Sequence, residues 1–145
     1  MKVEVNVDKS LEEIFVEIHT PSENDELKNI LKKLSYKELT LKGVIEDKTY
    51  LLNSDDLYVI YAENKKVFAA TKDKVFRLGY RLYELEEILD SKKFIRISNS
   101  AIINIYKVDN FEASFNGLIT INLKNGAKEY ISRRYLKKVK KTLSL

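Results

Sequence analysis

Cysteine is absent from the 145 residues. That excludes disulfides and any zinc site built on thiolates, and it fits a cytoplasmic location. Histidine occurs once, as His19, and no neighbouring spacing pairs it with a Ser as a nucleophilic triad requires. Four glycines form no phosphate-cradling loop. No apolar run approaches the ~20 residues of a membrane-crossing helix. The start, Met1-Lys2-Val3-Glu4-Val5, lacks the apolar centre of a signal peptide. These absences leave catalysis with little support. The carboxylates Asp55-Asp56 and Glu84, Glu86 and Glu87 read as turn and helix-surface residues, so no catalytic or metal-ligating residue, no cofactor and no small-molecule substrate is assigned.

What is present is a hydrophobic fraction of 44% beside 33% charged residues, a composition that supports a folded core within one main domain and leaves room for a small extra lobe. The charge is divided along the chain. Residues 1–40 carry six Lys against nine acids, a net −3, whereas residues 41–145 carry twenty Lys or Arg against thirteen acids, a net +7. The last fifteen residues hold Arg133, Arg134, Lys137, Lys138, Lys140 and Lys141 and no acid. A basic end on a basic domain favours a polyanionic partner, with a solvated helix face as the rival reading.

The most informative stretch is Phe94-Ile95-Arg96-Ile97-Ser98-Asn99-Ser100-Ala101-Ile102-Ile103-Asn104-Ile105. Its apolar, β-branched flanks predict a buried strand pair, or a strand leading into a short turn, with Ser98-Asn99-Ser100 pushed out at the end of a sheet. Upstream, Val3, Val5 and Val7 alternate with polar residues, as do Ile14, Val16 and Ile18, so both segments predict strands. After Pro21, Ser22 reads as the cap of a helix carrying Leu27, Ile30, Leu31 and Leu34. Residues 1–37 are therefore expected to form a strand–strand–helix lobe, too small to bury much alone, ahead of a domain at 38–145.

That domain reads as strands. Residues 39–46 and 49–52 flank a turn at Asp47-Lys48, and Asn53-Ser54-Asp55-Asp56 forms a turn or one helical turn. Residues 57–62 and 67–71 flank the polar tip Glu63-Asn64-Lys65-Lys66, and residues 75–78 form a further strand. Leu82, Leu85, Ile88 and Leu89 have helical spacing. Asn116-Gly117 and Asn125-Gly126 predict two-residue hairpin turns, since that pair supplies the positive φ such turns need. Ser132 caps a last helix with an apolar seam at Leu136, Val139 and Leu143. The fold class is mainly β with few helices, α+β overall.

Three polar or basic points thus fall at element ends: Asn64-Lys65-Lys66, Ser98-Asn99-Ser100 and Arg133-Arg134. Asn can pair with adenine edges and Arg with guanine edges, while Lys and Ser hold phosphates. Residues from about 40 to 143 also resemble the LytTR domain, a β-rich DNA-binding domain of bacterial transcription regulators. The resemblance is carried by Leu57-Tyr58-Val59-Ile60-Tyr61, by the Leu82/Leu85/Leu89 helix, by the 94–105 stretch with Val108, and by Ile131-Ser132-Arg133-Arg134-Tyr135-Leu136.

The resemblance implies an elongated β core that reads double-stranded DNA through loops, with some bending of the duplex. It places the base contacts at Lys65 with its neighbours Asn64 and Lys66, at Asn99 with Ser98, and at Arg134 with Arg133; Arg96, Ser100, Ser132 and Lys137, in or beside the same motifs, are expected to support the contact. Many members have His where this chain has Ser98, which bears on base preference there. Members usually carry a phosphate-accepting receiver domain in front, for which residues 1–37 are too short, so a stand-alone regulator is expected. The N-terminal lobe is then expected to mediate homodimerisation or to dock an inhibitory partner, such as a regulatory membrane protein. The alternative is a protein-protein interaction module that uses its edge strands and binds no DNA.

Overall fold

The computed structural model describes residues 1–34 and 39–145. The chain divides into two units, Met1–Lys37 and Glu38–Leu145; the expected boundary after residue 37 lies outside the described residues. In the first unit one helix, α1 (Asp25–Leu34), is the only regular element among the described residues. Its cap is Asn24, whose side-chain Oδ1 accepts from the Leu27 amide at 2.9 Å. The cap expected at Ser22 is thus corrected by two residues, to the site where an Asx side chain faces the first free amides.

The strands expected at Val3–Val7 and Ile14–Ile18 are also corrected, because both segments are irregular and their Val and Ile side chains are mostly exposed. Alternation marks a face that could be buried, and a strand forms only where a neighbour offers a ladder and a core.

The second unit is built on a seven-stranded antiparallel sheet. Its strands are β1 (Thr40–Ile45), β2 (Lys48–Asn53), β3 (Val59–Glu63), β4 (Lys66–Ala70), β5 (Val75–Leu78), β6 (Phe94–Ser98) and β7 (Ala101–Asn104). They lie in the order β2-β1-β5-β4-β3-β7-β6. A second sheet holds β8 (Val108–Ala113), β9 (Ile119–Leu123) and β10 (Lys128–Tyr130) in the order β10-β9-β8. Two helices complete it, α2 (Leu82–Ile88) and α3 (Arg133–Leu143). At β1 the backbone approaches so closely that a β-carbon on Gly43 would lie 2.5 Å from Leu52 Cδ1 and 2.8 Å from Phe76 Cβ, so only Gly fits there.

Two cores share the large sheet. On one face Leu82, Leu85 and Leu89 pack with Ile60, Phe76, Phe94 and Ile102. On the other, Ile95, Ile97 and Ile103 pack with Ile119, Ile121 and Leu123 of the small sheet and with Ile131 and Val139 around α3. Because β6 and β7 are buried on both faces, their sequence is a near-continuous apolar run rather than an alternating one. Fully burying each such Ile is worth about 1.5–3 kcal/mol.

Three turns differ from expectation. The β1–β2 turn is Glu46-Asp47, one residue earlier than read, with Glu46 at φ 54°. Both Asn-Gly pairs lie in longer loops: Ser114 N–H donates to Leu118 O, and Leu123 N–H donates to Ala127 O, each at 2.9 Å. Three residues are enclosed in each case, with Gly117 (φ 82°) or Gly126 (φ 86°) last. A left-handed Gly closes a three-residue loop as readily as a two-residue turn.

Candidate nucleic-acid interface

The expected contact points Lys65, Asn99 and Arg134 sit on three elements of the second unit that one end of the large sheet brings together. The β3–β4 ladder runs to Glu63 opposite Lys66, leaving Asn64-Lys65 as the turn. Both turn residues have positive φ, 50° and 62°. Asn tolerates this region, but Lys is held there at a cost of order 1 kcal/mol. Asn64, Lys65 and Lys66 are exposed.

The β6–β7 turn is Asn99-Ser100, preceded by a register shift between Arg96 and Ser98. Ser98 Oγ accepts from the Ser100 amide at 3.1 Å and lies 3.3 Å from Ser100 Oγ. Arg96 underlies the turn: Nε donates to Ser98 O at 2.6 Å, Nη2 donates to Asn99 O at 2.5 Å, and Nη1 pairs with Glu86 on α2. Its guanidinium is thus committed to the protein and holds the turn from beneath, rather than projecting from the tip. Glu86, read from the sequence as a helix-surface carboxylate, is its partner.

The third point is the start of α3. Ser132 occupies the cap position, but its side chain makes no capping bond. It is the Ser132 amide that anchors the helix, donating to Ile97 O of β6 at 3.0 Å. Arg133, Arg134 and Lys137 are exposed, and Leu136, Val139 and Leu143 face the core.

Hydrogen bonds join the three points. Ala62 N–H, next to the β3–β4 tip, donates to Ser100 O at 2.8 Å. The Tyr135 hydroxyl of α3 donates to Asn99 Oδ1 at 3.2 Å. Tyr135 was not among the residues expected to form the site, although it belongs to the 131–136 motif. Nothing in the spacing of residues 36 apart signals that contact; it arises from the packing of α3 on β6.

Behind this end, Glu129 of β10 lies close enough to Tyr61 of β3 for its charge to matter. Burial raises the Glu129 carboxyl above its ordinary 4.5. Burial first, then the charges of Glu63 and Glu129, raise the Tyr61 hydroxyl. A carboxyl whose pKa is raised in the fold contributes stability below the ordinary glutamate range and loses it as pH rises through the raised value. Glu129→Gln is therefore expected to raise the melting temperature near pH ~7, with the difference vanishing in acid, as thermal melts across pH would show.

A family profile described as the LytTr DNA-binding domain matches residues 47–144. Proteins of Staphylococcus aureus strains COL and Mu50, each named an HTH-type transcriptional regulator, are 37% identical over 147 aligned residues, which cover 100% of this chain and 99% of theirs. The solved LytTr DNA-binding domain of a methyl-accepting/DNA response regulator from Bacillus cereus superposes with a TM-score of 0.72 at 20% identity, covering 76% of this chain and 100% of that one.

Proposed function

The chain belongs to the LytTr DNA-binding domain family, and from that premise we propose how it acts: it binds double-stranded DNA and regulates transcription, reading base edges in the major groove through Lys65, Asn99 and Arg134. The observation that carries the reading is the convergence of three polar tips on one end of a doubly buried sheet, tied by the Ala62–Ser100, Ser132–Ile97 and Tyr135–Asn99 hydrogen bonds.

Loops held this firmly can specify bases without a recognition helix, because their ordering is completed on folding rather than on binding. Arg134 suits a guanine edge, for which a guanidinium fork supplies two donors. Lys66, Arg133 and Lys137 suit phosphates, with Asn64, Ser98, Ser100 and Ser132 completing the contact. Arg96 acts through the turn it supports. In this reading the chain works in the cytoplasm as a homodimer joined through residues 1–37. The exposed or half-exposed seam Leu27, Ile30, Leu31 and Leu34 of α1 supports that role. Docking of a regulatory membrane protein on the same unit is the alternative use of this seam.

Selection of bound duplexes from a random pool, followed by anisotropy titration in a salt series, tests the proposal. Recovery of a motif is the expected result. Arg134→Ala should then cost about 1–3 kcal/mol and relax one base position, and Lys65→Ala should relax another. An equal loss on all sequences would assign the residue to phosphate, and absence of binding at low salt would overturn the reading.

A further inference from the structure

We propose that Tyr135 determines which base edge Asn99 reads, by committing the side-chain oxygen of Asn99 and leaving its amide nitrogen as the group that faces DNA. The inference rests on the reading of Asn99 as a base contact and adds the chemistry of that contact.

The turn leaves Asn99 little freedom. Its carbonyl oxygen accepts from Arg96 Nη2 at 2.5 Å, and the next amide, of Ser100, is taken up by Ser98 Oγ. Its side-chain Oδ1 accepts from the Tyr135 hydroxyl at 3.2 Å. The phenol is itself positioned. The Tyr135 ring packs against the core that contains Ile97, Ile131 and Val139, its amide donates to Ser132 O at 2.9 Å, and Ser132 is bonded to β6.

A carboxamide with both ends free pairs with adenine, its oxygen accepting from N6 and its nitrogen donating to N7. With its oxygen turned to the phenol and one of its two lone pairs taken, Asn99 leads with its two N–H groups. The complementary edge is one rich in acceptors: O6 and N7 of guanine, or O4 of thymine. The bidentate adenine pair is weakened, because the oxygen has to serve N6 from the lone pair left by the phenol. Tyr135 is in this sense a positioning residue, and its contribution is specificity rather than affinity.

The test compares the base preference of the wild-type protein with those of Tyr135→Phe, Asn99→Ala and the double variant, by selection from randomised duplexes. Tyr135→Phe removes one oxygen and keeps the ring in the core. Adenine is expected to rise about tenfold against guanine and thymine at the position where Asn99→Ala loses preference, a shift on the scale of one bidentate contact. The salt slope should stay unchanged, and the double variant should match Asn99→Ala. If Asn99→Ala alters one position while Tyr135→Phe selects the same bases as wild type, the inference is overturned and the Asn99 contact survives. If Asn99→Ala alters no position, the base-contact reading of Asn99 fails and the inference fails with it.

Discussion

Replacing Asn104 with Leu is expected to destabilise the second unit by about 2–5 kcal/mol, a large share of the ~5–15 kcal/mol that holds a domain of ordinary stability. Asn104 ends β7 and is 2% exposed. Its Nδ2 donates to Leu57 O at 2.9 Å and to Asp55 O at 3.4 Å, and its Oδ1 accepts from the Tyr106 amide at 3.1 Å. The side chain therefore satisfies the turn that leads into β3 and the turn that leaves β7. Leucine is of similar size but takes the amide away from the buried Leu57 carbonyl, and from the part-buried Asp55 carbonyl and Tyr106 N–H. Urea unfolding of the two proteins measures the effect. The base preference of the remaining folded protein should be unchanged, because the residue is far along β7 from the Asn99-Ser100 turn. A variant within about 0.5 kcal/mol of wild type would show that water reaches these groups and replaces the amide.

The second large effect concerns α3. Arg133, Lys137 and Lys140 are spaced to share one exposed face, and the helix contains no acid to offset them. Substituting all three with Gln is expected to weaken DNA binding on the order of 100-fold at about 0.15 M salt and to reduce the logarithmic salt slope by roughly 2.7, if each side chain neutralises one phosphate. The loss should be the same on every duplex, unlike that from Arg134→Ala. Stability should change little, since none of the three is buried. An unchanged salt slope would turn this face of α3 away from DNA and leave Arg134 as its sole contribution.

How far the molecule is legible in its sequence depends on whether a feature is local. The Val75–Leu78 strand and the 94–104 strand pair are readable because burial on one face or two writes itself directly into residue order. The three polar tips are readable for the same reason, as interruptions between apolar runs. Their convergence is not, because it requires that β3 pair with β7, and no local pattern encodes the order of strands in a sheet. The Glu86–Arg96 pair and the Tyr135–Asn99 bond are hidden likewise. Arg96 shows the limit most clearly: an Arg beside an exposed polar turn has the residue type of a phosphate contact, and only the geometry shows it holding carbonyls. At the N-terminus the failure is of another kind. Val3, Val5 and Val7 carry the right alternation, but a strand needs a partner that the pattern does not supply.

The enclosure of β7 has a consequence for how the protein can be controlled. This strand lies between β3 and β6 with both of its faces covered, so the amide protons of Ile102 and Ile103 are expected to be among the slowest to exchange. The Asn99-Ser100 turn continues that strand and, although exposed, is tied down by the Ala62–Ser100, Arg96–Asn99 and Tyr135–Asn99 hydrogen bonds. On the proposed reading, a signal that worked by softening this turn would have to break those bonds. A switch that leaves them intact would act by blocking access to the tips, or by changing how many copies are presented to DNA at once.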